Sequence, residues 1–209
     1  MQEKILPIIA LLILLLGGGY LLFQKTPAPP INIIDLKGFN PPLGNPEAPV
    51  KIIEFADFQC VFCKKFYMES FRSIKEDYIN KGLAVLYYRD FIILGPESTQ
   101  ASLASKCARE QNKYWAYVDL LYENQGLENS GAFNKENLIK FAEKLNLDKN
   151  KFEKCLNEGK YIKEIEEDTK AALKLGARGT PYLIINNDKI EGAYPYKYIK
   201  VVIEKYLKK

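Results

Sequence analysis

Histidine is absent from this 209-residue sequence. The absence removes the commonest general base, the commonest transition-metal ligand and the only side chain that titrates near neutrality unperturbed. Any catalysis must therefore run on cysteine, carboxylate, lysine or tyrosine. Blocks of like charge are also missing: 30 basic and 26 acidic residues are interspersed along the chain for a net charge of +4, which argues against nucleic acid as a partner. No internal repeat or low-complexity segment is evident. Cysteine is scarce, with 4 in all, and only Cys60 and Cys63 form a C-x-x-C pair. Without a second pair or a histidine, a tetrahedral zinc site lacks ligands, and a chain of this length needs no metal to bury a core. Neither a metal nor a cofactor is expected.

Hydrophobic residues at 47% and charged residues at 27% describe a globular protein. The N-terminus has its own character, because Ile5 to Phe23 (ILPIIALLILLLGGGYLLF) carries no charge. As a helix it would reach about 28 Å, close to the ~30 Å hydrocarbon core of a bilayer. It is longer than the usual ~7–15-residue apolar core of a signal peptide, and QKTPAPP after it offers no small-x-small cleavage site free of proline. The reading is an uncleaved membrane anchor over residues 1–25, with a cleaved signal as the alternative. Lys4 on one side faces Lys25 and Lys37 on the other, so lysine counting does not orient it. Residues 26–48, rich in proline and small residues, read as a linker, and the folded part is expected over 49–209.

Val50 to Phe58 (VKIIEFADF) is apolar and β-rich and reads as a buried strand. After Cys60, the spacing of Tyr67, Phe71, Ile74 and Tyr78 is the stripe of an amphipathic helix, ending near Gly82. Leu83 to Ile93 predicts a second strand. From about 96 to 176 only helical periods occur, enough for four or five short helices. Tyr182–Ile185, the Asn186-Asn187-Asp188 turn and Lys189–Glu191 predict a hairpin, and Pro195 opens a last helix with Ile199, Val202, Ile203 and Tyr206 on its apolar side.

Cys60-Val61-Phe62-Cys63 thus sits between a strand and the start of a helix. A purely structural disulfide has no need of that place. A redox dithiol does: the free N–H groups and positive dipole end of the first turn stabilise a thiolate at the first cysteine, and the second, one turn on, resolves a mixed disulfide. Tyr114, Trp115 and Tyr117 have the spacing of core aromatics, and Lys64 and Lys65 add at most some positive potential near Cys60.

The strand-C-x-x-C-helix unit, Gly179-Thr180-Pro181 before a strand, Gln111-Asn112-Lys113-Tyr114-Trp115 among the helices and Glu191-Gly192-Ala193 after the hairpin together resemble the DsbA-like disulfide oxidoreductases of the thioredoxin superfamily. The resemblance covers roughly Pro49 to Lys208. It implies an α/β thioredoxin fold with an all-helical insertion, preceded here by the transmembrane segment. It also implies a cis bond before Pro181, which base rates alone would make trans, since about 5–6% of X-Pro bonds are cis in folded proteins. Thr180 and Pro181, with Val61 and Phe62, are then expected to meet substrate, and Thr180 to tune Cys60. An acid six residues before the first cysteine, Glu54, is expected beneath the site as a proton shuttle; Asp57 competes for that role, and strand alternation alone would allow Glu54 to face solvent. Many relatives carry a cysteine in each of two insertion helices, which points to a structural Cys107–Cys155 disulfide and hence to an oxidising compartment.

The expected function is a protein thiol:disulfide oxidoreductase, extracytoplasmic and monomeric, acting on exported cysteine-containing proteins and recycled by a membrane redox partner. The oxidising direction is favoured, with a reductase or isomerase, or a peptide-binding chaperone, as alternatives. Val61-Phe62 departs from the proline and histidine of the strongest oxidants, and Phe62 offers Cys60 no hydrogen bond.

Overall fold

The structure, a computed structural model, describes Gly38 and residues 40–208. The apolar segment Ile5–Phe23 lies outside the described residues, and among those described no helix is long and apolar enough to cross a membrane.

A five-stranded mixed sheet organises the chain in the order β1-β3-β2-β4-β5. Its central strand β2, Val50–Ala56, joins β3, Ala84–Asp90, in parallel. On its other side it pairs antiparallel with β4, Tyr182–Ile185, which pairs in turn with β5, Asp188–Glu191. Covered on both faces, β2 and β3 are almost wholly buried, which is why they read as continuous apolar runs rather than alternating ones. The short strand β1, Leu43–Gly44, pairs antiparallel with β3 and lies in the stretch read as linker. The buried Asn40 donates to the Tyr88 carbonyl at 3.0 Å, so the folded part begins ahead of Pro49. Two residues of edge strand are too short to show a period, and the prolines around them are tolerated at an edge.

Between β2 and β3 runs α1, residues 61–79, in which α-helical turns (Val61–Lys65 and Arg72–Ile74) alternate with wider π turns (Phe66–Phe71 and Lys75–Ile79). Tyr67, Phe71, Ile74 and Tyr78 are all buried, as the stripe predicts, with Tyr67 stacked on Tyr122 and Tyr78 donating to Glu204. The helix stops at Ile79, and Gly82, at φ +71°, turns the chain into β3.

The helical insertion consists of α2 (Pro96–Arg109), α3 (Tyr114–Glu123), α4 (Lys135–Lys144), α5 (Lys149–Asn157) and α6 (Ile162–Lys174). Asn134 and Asp148 cap α4 and α5 by accepting from Asn137 N and Lys151 N. The Cys107 of α2 and Cys155 of α5 are joined by a disulfide. Tyr117 is fully buried, and the half-buried Trp115 donates its indole N–H to the Pro41 carbonyl at 3.1 Å. A buried ion cluster that no sequence pattern announces ties the insertion to the sheet: Lys106 of α2 pairs with Asp90 at 3.0 Å, and Arg89 of β3 with Asp168 of α6 at 2.6 Å. Helix α7, Tyr196–Leu207, closes the fold with Ile199 and Ile203 buried beside α1 and β2.

Candidate active site

Cys60 is the N-cap of α1, with extended backbone, and its carbonyl accepts the first helical hydrogen bond from Lys64 N at 3.0 Å. No acid lies in the helix's first turn, so nothing there offsets its positive end. Cys63 follows one turn later and is fully buried, whereas the Cys60 residue keeps 6% of its surface. Beside that small opening, Val61 and Phe62 project into solvent with 58% and 60% exposed, an apolar step next to a reactive sulfur.

The loop before β4 reaches the cysteine from the other side. The Thr180–Pro181 peptide is cis, and the Cys60 thiol donates to the Thr180 carbonyl at 3.4 Å. In this thiol form the buried Thr180 hydroxyl makes no hydrogen bond, but it is placed to donate to a thiolate. The hydrogen bond from the Cys63 thiol is the largest influence holding the Cys60 pKa down to about 6; burial opposes it, and the Thr180 hydroxyl and the backbone N–H groups of Cys63 and Phe62 add to it. Cys63 moves the other way, pushed well up by burial first, then by its bond to Cys60 and the charges of Cys60 and Glu54. One cysteine is therefore a thiolate at neutral pH and the other a thiol.

Glu54 occupies the face of β2 shared by Ile52 and Ala56, turned toward α1, and is completely buried. Both of its carboxyl oxygens lack a hydrogen-bond partner. Burial, reinforced by the charge of Cys60, raises its pKa from 4.5 to about 8, so it is neutral at pH 7. Asp57 does something different: it organises the loop, accepting from Gln59 N at 2.9 Å on one oxygen and from Ile93 N and Leu94 N at 3.0 and 3.2 Å on the other.

This raised pKa has a stability consequence with a definite sign. Above pH 4.5 the unfolded chain ionises Glu54 while the folded chain keeps its proton, so the folded state binds more protons and stability falls until pH about 8, where the loss levels off. Replacing Glu54 with glutamine is therefore expected to raise the melting temperature of the protein with Cys60 and Cys63 reduced progressively from about pH 5 to about pH 8, by an amount corresponding to a few kcal/mol at the upper end. Calorimetry at both pH values checks this, and an offset that stays constant with pH would refute the buried, neutral carboxyl.

Sequence reasoning missed two amides at the site. Gln59, just before the nucleophilic position, is nearly buried and exchanges bonds with Asn129, and Gln125 of the insertion donates to carbonyls on either side of Gln59. Contacts of this kind, across 65 residues or more of chain, leave no periodic trace.

Comparison with known proteins agrees with this geometry. The thioredoxin family model matches residues 38–205. A probable disulfide bond formation protein D of Bacillus anthracis is 31% identical over 80% of this chain and 78% of its own length. Oxidised BdbD of Bacillus subtilis superposes with a TM-score of 0.76 at 27% identity, over 81% of this chain and 94% of that one. For alpha-DsbA1 of Wolbachia pipientis the TM-score is 0.72 at 29% identity, over 80% and 90%. A C-x-x-C pair with split acidities, seated between a helix N-terminus and a cis-proline loop in a chain with these relatives, places the protein in the thioredoxin family, as a thiol:disulfide oxidoreductase of the DsbA type.

Proposed function

We propose that the protein is an extracytoplasmic thiol oxidase that introduces disulfides into exported proteins through Cys60 and Cys63, held at the membrane by Ile5–Phe23 and recycled there by a membrane redox partner. The observation that carries the direction is the set of donors around Cys60: the Cys63 thiol, the Thr180 hydroxyl and the first N–H groups of α1 all favour its thiolate. A stabilised thiolate stabilises the reduced enzyme and so makes the disulfide oxidising. The Cys107–Cys155 disulfide supports an oxidising compartment.

The cycle begins with a substrate thiolate attacking Cys60 Sγ in the oxidised enzyme. The Cys60–Cys63 bond breaks, its electron pair leaves on Cys63, and neutral Glu54, near enough for its charge to be felt at Cys63, supplies the proton. A second substrate thiolate then attacks the substrate sulfur of the mixed disulfide, and Cys60 departs as its stable thiolate. Two electrons have passed from two substrate thiols to the enzyme. Val61, Phe62, Thr180 and Pro181 form the surface that meets the substrate segment, and one chain holds every group the cycle needs, consistent with a monomer.

Equilibration of the full chain in glutathione buffers tests the direction. A potential toward the roughly −120 mV of DsbA is expected. The side chain of Phe62, which gives Cys60 neither charge nor a hydrogen bond, works against that value, and a potential near thioredoxin's roughly −270 mV would overturn the oxidase in favour of a reductase.

A further inference from the structure

The loop after α3, from the helical insertion, lies against the cysteine-bearing loop. The Gln125 side-chain amide donates to the Phe58 carbonyl at 2.6 Å and to the Cys60 carbonyl at 3.1 Å, straddling the two residues that lead into α1. Around it, Asn129 N donates to Gln59 Oε1 at 2.6 Å, Gln59 Nε2 donates to Ser98 Oγ at 2.9 Å, and Lys64 Nζ reaches the Gln125 carbonyl at 3.4 Å. Gly95 allows this close approach, since a Cβ there would come within 2.8 Å of the Asn129 side chain.

We infer that Gln125 is a positioning residue for the thiol–disulfide exchange, through which the helical insertion fixes the Cys60 peptide so that the first N–H groups of α1 stay aimed at the Cys60 sulfur. The inference rests on the reading of Cys60 as the activated nucleophile and adds a residue to it. A carbonyl oxygen has two lone pairs; at Cys60 one accepts from Lys64 N and the other from Gln125. With both engaged, neither the Cys60–Val61 peptide nor the Phe58–Gln59 peptide is free to rotate, and the sulfur is held where Phe62 N and Cys63 N converge. The amide hydrogens of Gln125 also bring partial positive charge to the carbonyl that would otherwise present its negative end beside the thiolate. Without Gln125 the loop has freedom to turn, and the alignment on which the thiolate depends is lost for part of the time.

Gln125→Met in the full chain keeps the side chain's length and removes its donors. The pH dependence of Cys60 alkylation, measured on protein with the active-site pair reduced, should have its midpoint near 6 in the parent and about 0.5–1 pH unit higher in the variant, the shift that loss of one hydrogen bond of ordinary strength would give. A purely structural role would lower the melting temperature without moving this midpoint. Gln125→Asn, too short to bridge both carbonyls, should shift it in the same direction and serves if the methionine variant does not fold. Asn124→Ala, which removes only a bond within α3's own last turn, should leave the midpoint in place. A parent midpoint near 6 that neither Gln125 variant moves overturns the inference alone. A parent midpoint near the ordinary 9.0 overturns the activated nucleophile and this inference with it.

Discussion

Cys60→Ser is expected to lose thiol–disulfide exchange completely, and Cys63→Ser, which cannot form the Cys60–Cys63 disulfide, to keep only the attack of Cys60 on a disulfide and to stop at the mixed disulfide. The asymmetry follows from the burial and the acidities of the two sulfurs. Cys60 faces the opening beside Val61 and Phe62 and is ionised at neutral pH, whereas Cys63 is sealed in the core and held as a thiol. The thiolate is both the nucleophile and the better leaving group, and a serine hydroxyl at position 60 is neither. In Cys63→Ser, Cys60 can still attack a substrate disulfide and release one substrate thiolate, but the Cys63 thiol that would expel the other substrate sulfur is gone, so a mixed disulfide accumulates and is seen as a reducible covalent complex on a gel. Cys63→Ala, which unlike serine leaves no donor there, loses the largest influence on Cys60, the hydrogen bond from position 63, so in it the alkylation midpoint of Cys60 should climb from about 6 toward 9.0. If Cys60→Ser instead traps complexes and Cys63→Ser does not, the two roles are reversed and the helix N-terminus is not what activates the pair.

The parts of this site visible in the sequence are those written in local pattern. The stripe from Tyr67 to Tyr78 determines which side of α1 is buried, and thereby that Cys63 points inward. An apolar β2 with an acid in its middle raises the question of Glu54's environment but does not answer it, because the strand's own residues do not say what covers each face; the packing of α1 over the side shared by Ile52, Glu54 and Ala56 does. The cis bond before Pro181 is different again, since it was accessible only through the resemblance and not through any preference of Gly-Thr-Pro itself. Gln125, the loop-holding role of Asp57 and the buried Lys106 cluster were out of reach for a common reason. Each depends on a side chain meeting backbone or charge across tens of residues, where neither periodicity nor composition carries a signal, and β1 escaped because two residues cannot show a period.

The Cys107–Cys155 disulfide is expected to matter for stability and not for chemistry. It joins α2 to α5 inside the insertion and closes a separation of 48 residues, which in the chain-entropy treatment stabilises the fold by about 4 kcal/mol by restricting the unfolded ensemble. Both sulfurs are nearly inaccessible, so alanine at the two positions is the cleaner replacement; serine would bury hydroxyl groups and add a desolvation cost of its own. The double Cys107→Ala, Cys155→Ala variant should melt roughly 8–16 °C below the parent, given the shift of about 2–4 °C per kcal/mol for a domain of this size. Well below its melting temperature it should exchange disulfides at the parent's rate, because the groups that act on Cys60 belong to α1, the Thr180–Pro181 loop and, through Gln125, the loop after α3, and the bridge between α2 and α5 touches none of them. A fall of only a few degrees would mean that the insertion holds together in the unfolded ensemble without its bridge. A loss of activity in the cold, with melting unchanged, would mean that the disulfide acts on Cys60 through the insertion, along the loop that carries Gln125.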